Sequence, residues 1–164
     1  QTDHGPAAGM GDRFGARGGD AAPKAAVRAG VFEACGRILL GREVLDHGRW
    51  TLPGGWADVN LSPAENTVKE VYEESGYIVR ATRLAAVWDR ARQAHPPGPF
   101  SCYTLCFLCE LLGGVPTISA ETSEIGWFAR DAIPADLSLG RVLHAQVDAM
   151  FDYAANPALP TYYD

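Results

Sequence analysis

Three glutamates, Glu70, Glu73 and Glu74, fall at i, i+3 and i+4 between Ser62 and Gly76, and a glycine pair, Gly54-Gly55, precedes them across a short loop. The segment carries helix signals. Ser62 suits an N-cap, Pro63 the first helical position, Glu65 completes an S-x-x-E capping box, and Gly76 is a C-terminal stop. On a helical wheel the glutamates occupy an arc of about 100°, opposite a face made by Ala64, Val68, Val71, Tyr72 and Ser75. That separation predicts an apolar face against a sheet and three carboxylates converging on one cation-sized site. Like charges at this spacing repel by about 0.2–0.5 kcal/mol per pair. Water can solvate such a face, which is the plain alternative. A hard divalent cation relieves the repulsion more fully, and Mg2+ is typically held by a few carboxylates together with substrate phosphates.

The stretch resembles the box of the Nudix hydrolase family (MutT-like), G-x5-E-x7-R-E-U-x-E-E-x-G-U, where U is bulky and apolar. Gly55 takes the first glycine, and Glu70, Val71, Glu73, Glu74 and Gly76 take the E-U-x-E-E-x-G core. The flanks LPGGW and S-P-x-E are also similar to the family, as are AETSEIGWF and the apolar segment after it, so the likeness extends over most of residues 25–164. Three positions depart from the pattern. Leu61 stands where the first Glu belongs, Lys69 replaces Arg, and Tyr77 replaces an aliphatic residue. Leu61 offers no oxygen, and Lys69 keeps the charge but loses the bidentate fork. Asp58 or Asn60 could supply a replacement oxygen. The longer run WTLPGGWADVN, with WDR and HPPGPF downstream, resembles a bacterial subgroup associated with nucleoside diphosphate derivatives such as ADP-ribose or CDP-choline.

The resemblance implies an α/β fold, an α/β/α sandwich with a mixed sheet. It also implies hydrolysis of a nucleoside diphosphate linked to another group, giving a nucleoside monophosphate and a phosphorylated product. Mg2+ or Mn2+ would be held by Glu70, Glu73, Glu74 and the Gly55 carbonyl, beside Lys69 of the box. The general base would be a box glutamate or Glu121 or Glu124. A nucleotide-binding module with little turnover is the rival reading, motivated by Leu61. Among positive groups, Arg28, Arg42 and Arg90 are candidates for the phosphates, because they end or lie within strands near the predicted site. Gly54, Gly55, Trp56 and Tyr103 complete the substrate-binding set, with Trp88 and Phe100 as further aromatic candidates. For each arginine the plain alternative is a surface ion pair, and for each aromatic a place in the core. His95, beside Pro96-Pro97, could sit on a mobile lid. His47 and His144 read as structural or surface residues.

Several elements must position these groups. Ala25 to Glu33 and Arg37 to Arg42 read as strands around a turn at Cys35-Gly36. Trp50 to Pro53 reads as a short strand delivering the glycine pair. Tyr77 to Arg90 reads as one long or two short strands, and residues 93–99 as a Pro- and Gly-rich loop. Phe100 to Leu112 and Ile125 to Ala129 are further strands. A last helix is expected from about Ser138 to Ala154, with Leu139, Val142, Leu143, Val147, Met150 and Phe151 on one face.

The whole chain sets bounds on this reading. Its 164 residues suit one domain over 25–164, preceded by a glycine-rich tail or linker over 1–24. A net charge of −6 argues against broad nucleic-acid binding. No apolar run approaches a membrane span. Cys102, Cys106 and Cys109 spell C-x3-C-x2-C, which an iron–sulfur site could use, but in a strand the first two face one way and the third the other. They read as buried thiols, which with Cys35 suits a reducing cytoplasm. The expected partner is a small-molecule nucleotide substrate, with no nucleic acid and no membrane, and a homodimer is a further expectation.

Overall fold

The computed structural model describes residues 22–99 and 101–164. Most of the glycine-rich tail, and Phe100, lie outside the described residues. Eight strands form one mixed sheet: β1 (Lys24–Phe32), β2 (Ile38–Glu43), β3 (Arg49–Thr51), β4 (Gly54–Trp56), β5 (Tyr77–Asp89), β6 (Cys102–Gly114), β7 (Thr122–Phe128) and β8 (Tyr162–Tyr163). The main order is β3-β2-β1-β6-β5-β8, with β4 paired to β1 and β7 to β2. β1 runs parallel to β6 and β5 parallel to β8, while the other pairs are antiparallel.

Two helices cover the faces, α1 (Pro63–Ser75) and α2 (His144–Ala155). Val147, Met150 and Phe151 of α2 pack with Ile38, Leu40, Ala85, Ala86, Cys106 and Leu108. On the other face Val71 of α1 packs with Ala29, Val31, Leu39, Val79 and Cys109. Burying each of the Val, Leu, Ile and Met side chains among these contributes about 1.5–3 kcal/mol. The expected α/β/α sandwich with a mixed sheet is therefore what the chain forms. β6 alternates between two cores, which explains its near-continuous apolar sequence. Cys106 and Cys109 fall in opposite cores, as the strand period requires, and the Cys106 thiol lies against the Met150 sulfur at 3.4 Å. Burial pushes the Cys109 thiol up to about 12 and the Cys106 thiol higher still. Among the described residues, no helix is long and apolar enough to cross a membrane.

Three expectations need correction. The glycine pair is not a loop: Gly54–Trp56 is itself a strand, with Ala26, Val27 and Arg28 opposite Trp56, Gly55 and Gly54. The last helix begins at His144, six positions after Ser138. The backbone at Ser138 instead makes a turn, its carbonyl accepting from the Arg141 and Val142 N–H groups, and Gln146 then caps the Leu143 N–H at 3.0 Å. The third concerns α1. Asn66, Thr67, Val71, Glu74 and Ser75 are its buried residues, whereas Tyr72 is exposed. The inward face is thus rotated by roughly 80° toward the glutamates, relative to the apolar face of the wheel. Polar residues can sit there because each finds a partner inside the fold.

Candidate active site

α1 begins and ends as its sequence dictates. The Ser62 hydroxyl accepts from the Glu65 N–H at 3.1 Å, and the Glu65 carboxylate accepts from the Ser62 N–H at 3.0 Å. Gly76 closes the helix in the left-handed conformation, its N–H donating to the Tyr72 carbonyl. The preceding loop is tied down by Asn66, which is fully buried. Its amide accepts from the Asp58 N–H at 3.1 Å and donates to the Asp58, Leu61 and Ser62 carbonyls at 3.2–3.4 Å. Asn66 was not singled out from the sequence. An Asn inside a helix with polar loop residues before it is a weak signal.

β4 approaches the helix closely. A side chain at Gly54 would collide with the Val27 carbonyl oxygen, and a Cβ at Gly55 would stand 3.3 Å from the Glu70 carboxylate. The Gly54 N–H donates to Glu74 Oε2 at 2.8 Å. Glycine is needed here because the backbone itself has to touch the helix.

These parts border a cleft of about 520 Å³. It is lined by Gly54, Gly55 and Trp56 of β4, Glu70 and Glu74 of α1, Ala26 and Arg28 of β1, and Cys102 and Thr104 of β6. Arg90, His95, Gly98, Pro99, Gly140 and Arg141 also line it, as do Glu43, Leu45 and Glu121. Glu74 is only 6 % exposed. Burial pushes its carboxyl up to about 8, and the charges of Glu70 and Glu43 act in the same sense, against the pull of Arg28 and the Gly54 hydrogen bond. Burial, then Glu73, also raises the Glu70 carboxyl. Arg28 is 7 % exposed and its Nη1 donates to the Leu52 carbonyl at 3.1 Å. Burial lowers its proton affinity, and Glu74 opposes that.

The cleft gathers Arg28, Gly54, Gly55, Trp56, Glu70, Glu74, Arg90 and Glu121 from the sequence-based candidates. Others lie elsewhere. Glu73 and Lys69 do not border it: Lys69 Nζ is 2.7 Å from Asp58 and 3.5 Å from Glu73. Among the described residues, no three His, Cys, Asp or Glu side chains are gathered closely enough to hold a cation. The expected convergence of Glu70, Glu73 and Glu74 is therefore not formed by these side-chain positions. Glu74 turns inward to the Gly54 N–H, and Glu73 outward to Lys69.

Asp58 is engaged by Lys69, and neither it nor Asn60 borders the cleft, so neither replaces the oxygen missing at Leu61. Leu61 itself is 37 % exposed and outside the cleft lining. Arg42 is taken up by Glu124 at 3.0 Å and the Gly48 carbonyl at 2.9 Å, and it lies over the Trp50 ring. Neither Arg42 nor Glu124 lines the cleft in this arrangement. Tyr103 points to a separate depression beside Asp89, Arg92 and Asp164, and Trp88 belongs to the core.

His95 is anchored rather than loose. Its Nδ1 lies 2.7 Å from the Leu139 carbonyl, and its Nε2 is 3.4 Å from the Gln146 amide nitrogen. The carbonyl accepts, so Nδ1 carries the proton and Nε2 accepts from Gln146. Burial lowers the proton affinity of His95, and Arg90 and Arg28 add to that. Glu43 and Arg141 carry no local signal, since both reach the cleft only through the sheet order and the turn at Ser138.

Comparison with known proteins agrees with this geometry. The NUDIX domain family model matches residues 22–147. YjhB of Bacillus subtilis (strain 168), provisionally named as an ADP-ribose pyrophosphatase, is 41% identical over 142 residues, which are 87% of this chain and 67% of that protein. A crystal structure of an ADP-ribose pyrophosphatase from Streptococcus suis 89-1591 superposes with a TM-score of 0.79 at 36% identity, covering 87% of this chain and all of that one. A UDP-X diphosphatase structure does so with a TM-score of 0.77 at 30% identity, covering 94% of this chain and 73% of that one.

Proposed function

The chain belongs to the NUDIX family, and on that footing we propose that it is a Mg2+- or Mn2+-dependent pyrophosphohydrolase. Its substrate is a nucleoside diphosphate derivative of the ADP-ribose or CDP-choline kind, split into a nucleoside monophosphate and a phosphorylated product. One observation carries the reading. Glu70 and Glu74 line the same cleft, one helical turn apart, and both hold their protons more tightly than ordinary carboxylates. Two crowded, poorly solvated carboxylates are a site that a divalent cation stabilises.

The donor set fits such an ion: Glu70, Glu74 and the Gly55 carbonyl are hard oxygens, and Gly55 has no side chain to separate its backbone from Glu70. When bound, the cation neutralises the adjacent phosphates and makes water a better nucleophile. The residues do the rest. The Gly54 N–H holds Glu74 in place. Arg28, fixed by the Leu52 carbonyl, meets phosphate charge in the cleft. Glu121 borders the same cleft, and its charge reaches Glu70. It is placed to take a proton from the attacking water. The water oxygen bonds to one phosphorus, and the bridging oxygen leaves with the electron pair on the other phosphate. The alternative is a nucleotide-binding module with little turnover, motivated by Leu61 in place of a box glutamate; it predicts binding without product.

The test is a panel of ADP-ribose, CDP-choline, NADH, nucleotide sugars and nucleoside triphosphates, assayed with Mg2+ and with Mn2+. Monophosphate release that stops on chelation is the expected result. No metal-dependent product from any diphosphate derivative rejects the reading.

A further inference from the structure

A second feature of the cleft concerns the group attached to the nucleotide. The register places Trp56 opposite Ala26, Ala26 beside Thr104, and Thr104 opposite Trp88. This row crosses four neighbouring strands, so three strand spacings, about 14 Å, separate the glycine strand from the β5 end that leads to Arg90. Arg90 stands at that far end. Its Nη2 donates to the Pro96 carbonyl at 2.8 Å, and a Cβ at Gly98 would lie 3.0 Å from the same nitrogen. The guanidinium plane is thereby fixed. Its Nη1 is buried with no hydrogen-bond partner, the one such side-chain nitrogen or oxygen among the described residues. The other cleft guanidiniums are engaged, Arg141 by Ser138 and Asp46 and Arg28 by the Leu52 carbonyl. A buried donor without an acceptor is costly, and Arg90 is one of the residues lining the cleft. The loop that encloses it is held from behind, by His95 to Leu139 and by Gln146 to Gln93 and His95.

We propose that Arg90 is a specificity-determining residue whose free N–H edge binds an oxygen of the terminal group, selecting an oxygen-rich neutral or anionic group such as a sugar and disfavouring a quaternary ammonium. The inference rests on the reading that the diphosphate lies beside Glu70 and Glu74, on the glycine side of the cleft. Admitting the acceptor requires a local opening at Gly98, because Nη1 is buried. A fixed guanidinium edge recognises oxygen acceptors and repels a cation.

Binding of the separate product halves tests this without turnover. Titration calorimetry with Mg2+ present uses ribose 5-phosphate, phosphocholine and AMP. The wild-type protein binds ribose 5-phosphate more tightly than phosphocholine. Arg90→Leu weakens ribose 5-phosphate by about tenfold or more, leaves AMP unchanged and removes the preference over phosphocholine. Arg90→Lys, which keeps the charge but not the fork, falls between and guards against a folding defect. Equal weakening of AMP and ribose 5-phosphate, or no weakening of ribose 5-phosphate, overturns the assignment. A wild-type protein that hydrolyses nothing in the panel above fails the parent reading instead, a result independent of these affinities.

Discussion

Glu74 has opposite effects on stability and on metal binding. Its folded-state carboxyl sits near pH 8 against a usual value of 4.5, so the folded protein prefers it protonated. That contribution is fully present below pH 4.5 and is lost as the pH rises through about 8. In the presence of a chelator, Glu74→Gln should therefore melt higher than wild type by several degrees at pH 9, and the gap should close as the pH falls to 5. With Mg2+ present the order should reverse, because the wild type alone keeps the ligand charge. Thermal melts of both proteins across that pH range check the sign, and a gap that widens on acidification would refute it. A second pair of substitutions separates two glutamates that the sequence left equivalent. Glu121→Gln should lower kcat by about 10²–10⁴-fold, the usual cost of a lost general base. Glu124→Gln should leave kcat near wild type, since that residue is occupied with Arg42 outside the cleft.

At the scale of elements, α1 and its leading loop act as one unit through Asn66. Asn66→Ala empties a fully buried side-chain position and leaves the Asp58 N–H and the Asp58 and Leu61 carbonyls without their partner, while the Ser62 carbonyl keeps the Asn66 N–H. It should cost about 2–4 kcal/mol in urea unfolding, more than the roughly 1 kcal/mol expected for removing the Ser62 cap. It should also lower activity, because the loop connects β4 to the glutamate helix. Equal costs for Asn66→Ala and Ser62→Ala would show that the clasp adds nothing beyond the cap.

For the whole molecule, protection should follow the sheet order. β1 and β6 lie at the centre, pair along nine positions from Lys24–Cys102 to Phe32–Glu110, and carry core residues on both faces. Their amides should exchange with solvent only on global unfolding, while β8, held by two paired positions, should exchange through local opening. Mass spectrometry of exchanged peptides tests this, and equal rates for β6 and β8 would contradict it. A long-range tie joins the cleft's outer parts: the Ser138 hydroxyl donates to Asp46 at 2.6 Å, and Arg141 lies 3.7 Å from the same carboxylate. Hydrogen bonding from Ser138, then Arg49, holds the Asp46 carboxyl below its usual range.

The sequence by itself determined the family, the α/β/α class, the helix with both of its caps, the places of the main strands along the chain and the nearness of the glutamates to the glycine pair. These are local signals. Capping residues, a period near 3.6 or 2, and fixed spacings act within a few residues of themselves, so they survive without knowledge of the fold. Only the tertiary structure decided which way α1 faces. The wheel counted Glu74 as outward because it is charged, but the helix turns toward β4, whose Gly54 N–H makes a buried carboxylate tolerable. The same holds for Arg42 and Glu124. Each looked suited to the site until β2 and β7 paired and brought them together 82 residues apart in sequence. Arg90, Glu43 and Arg141 meet in one cleft only because β2, β1, β6 and β5 lie side by side and the turn at Ser138 adds Arg141, and strand order is set by burial and pairing across the whole chain rather than by any one segment.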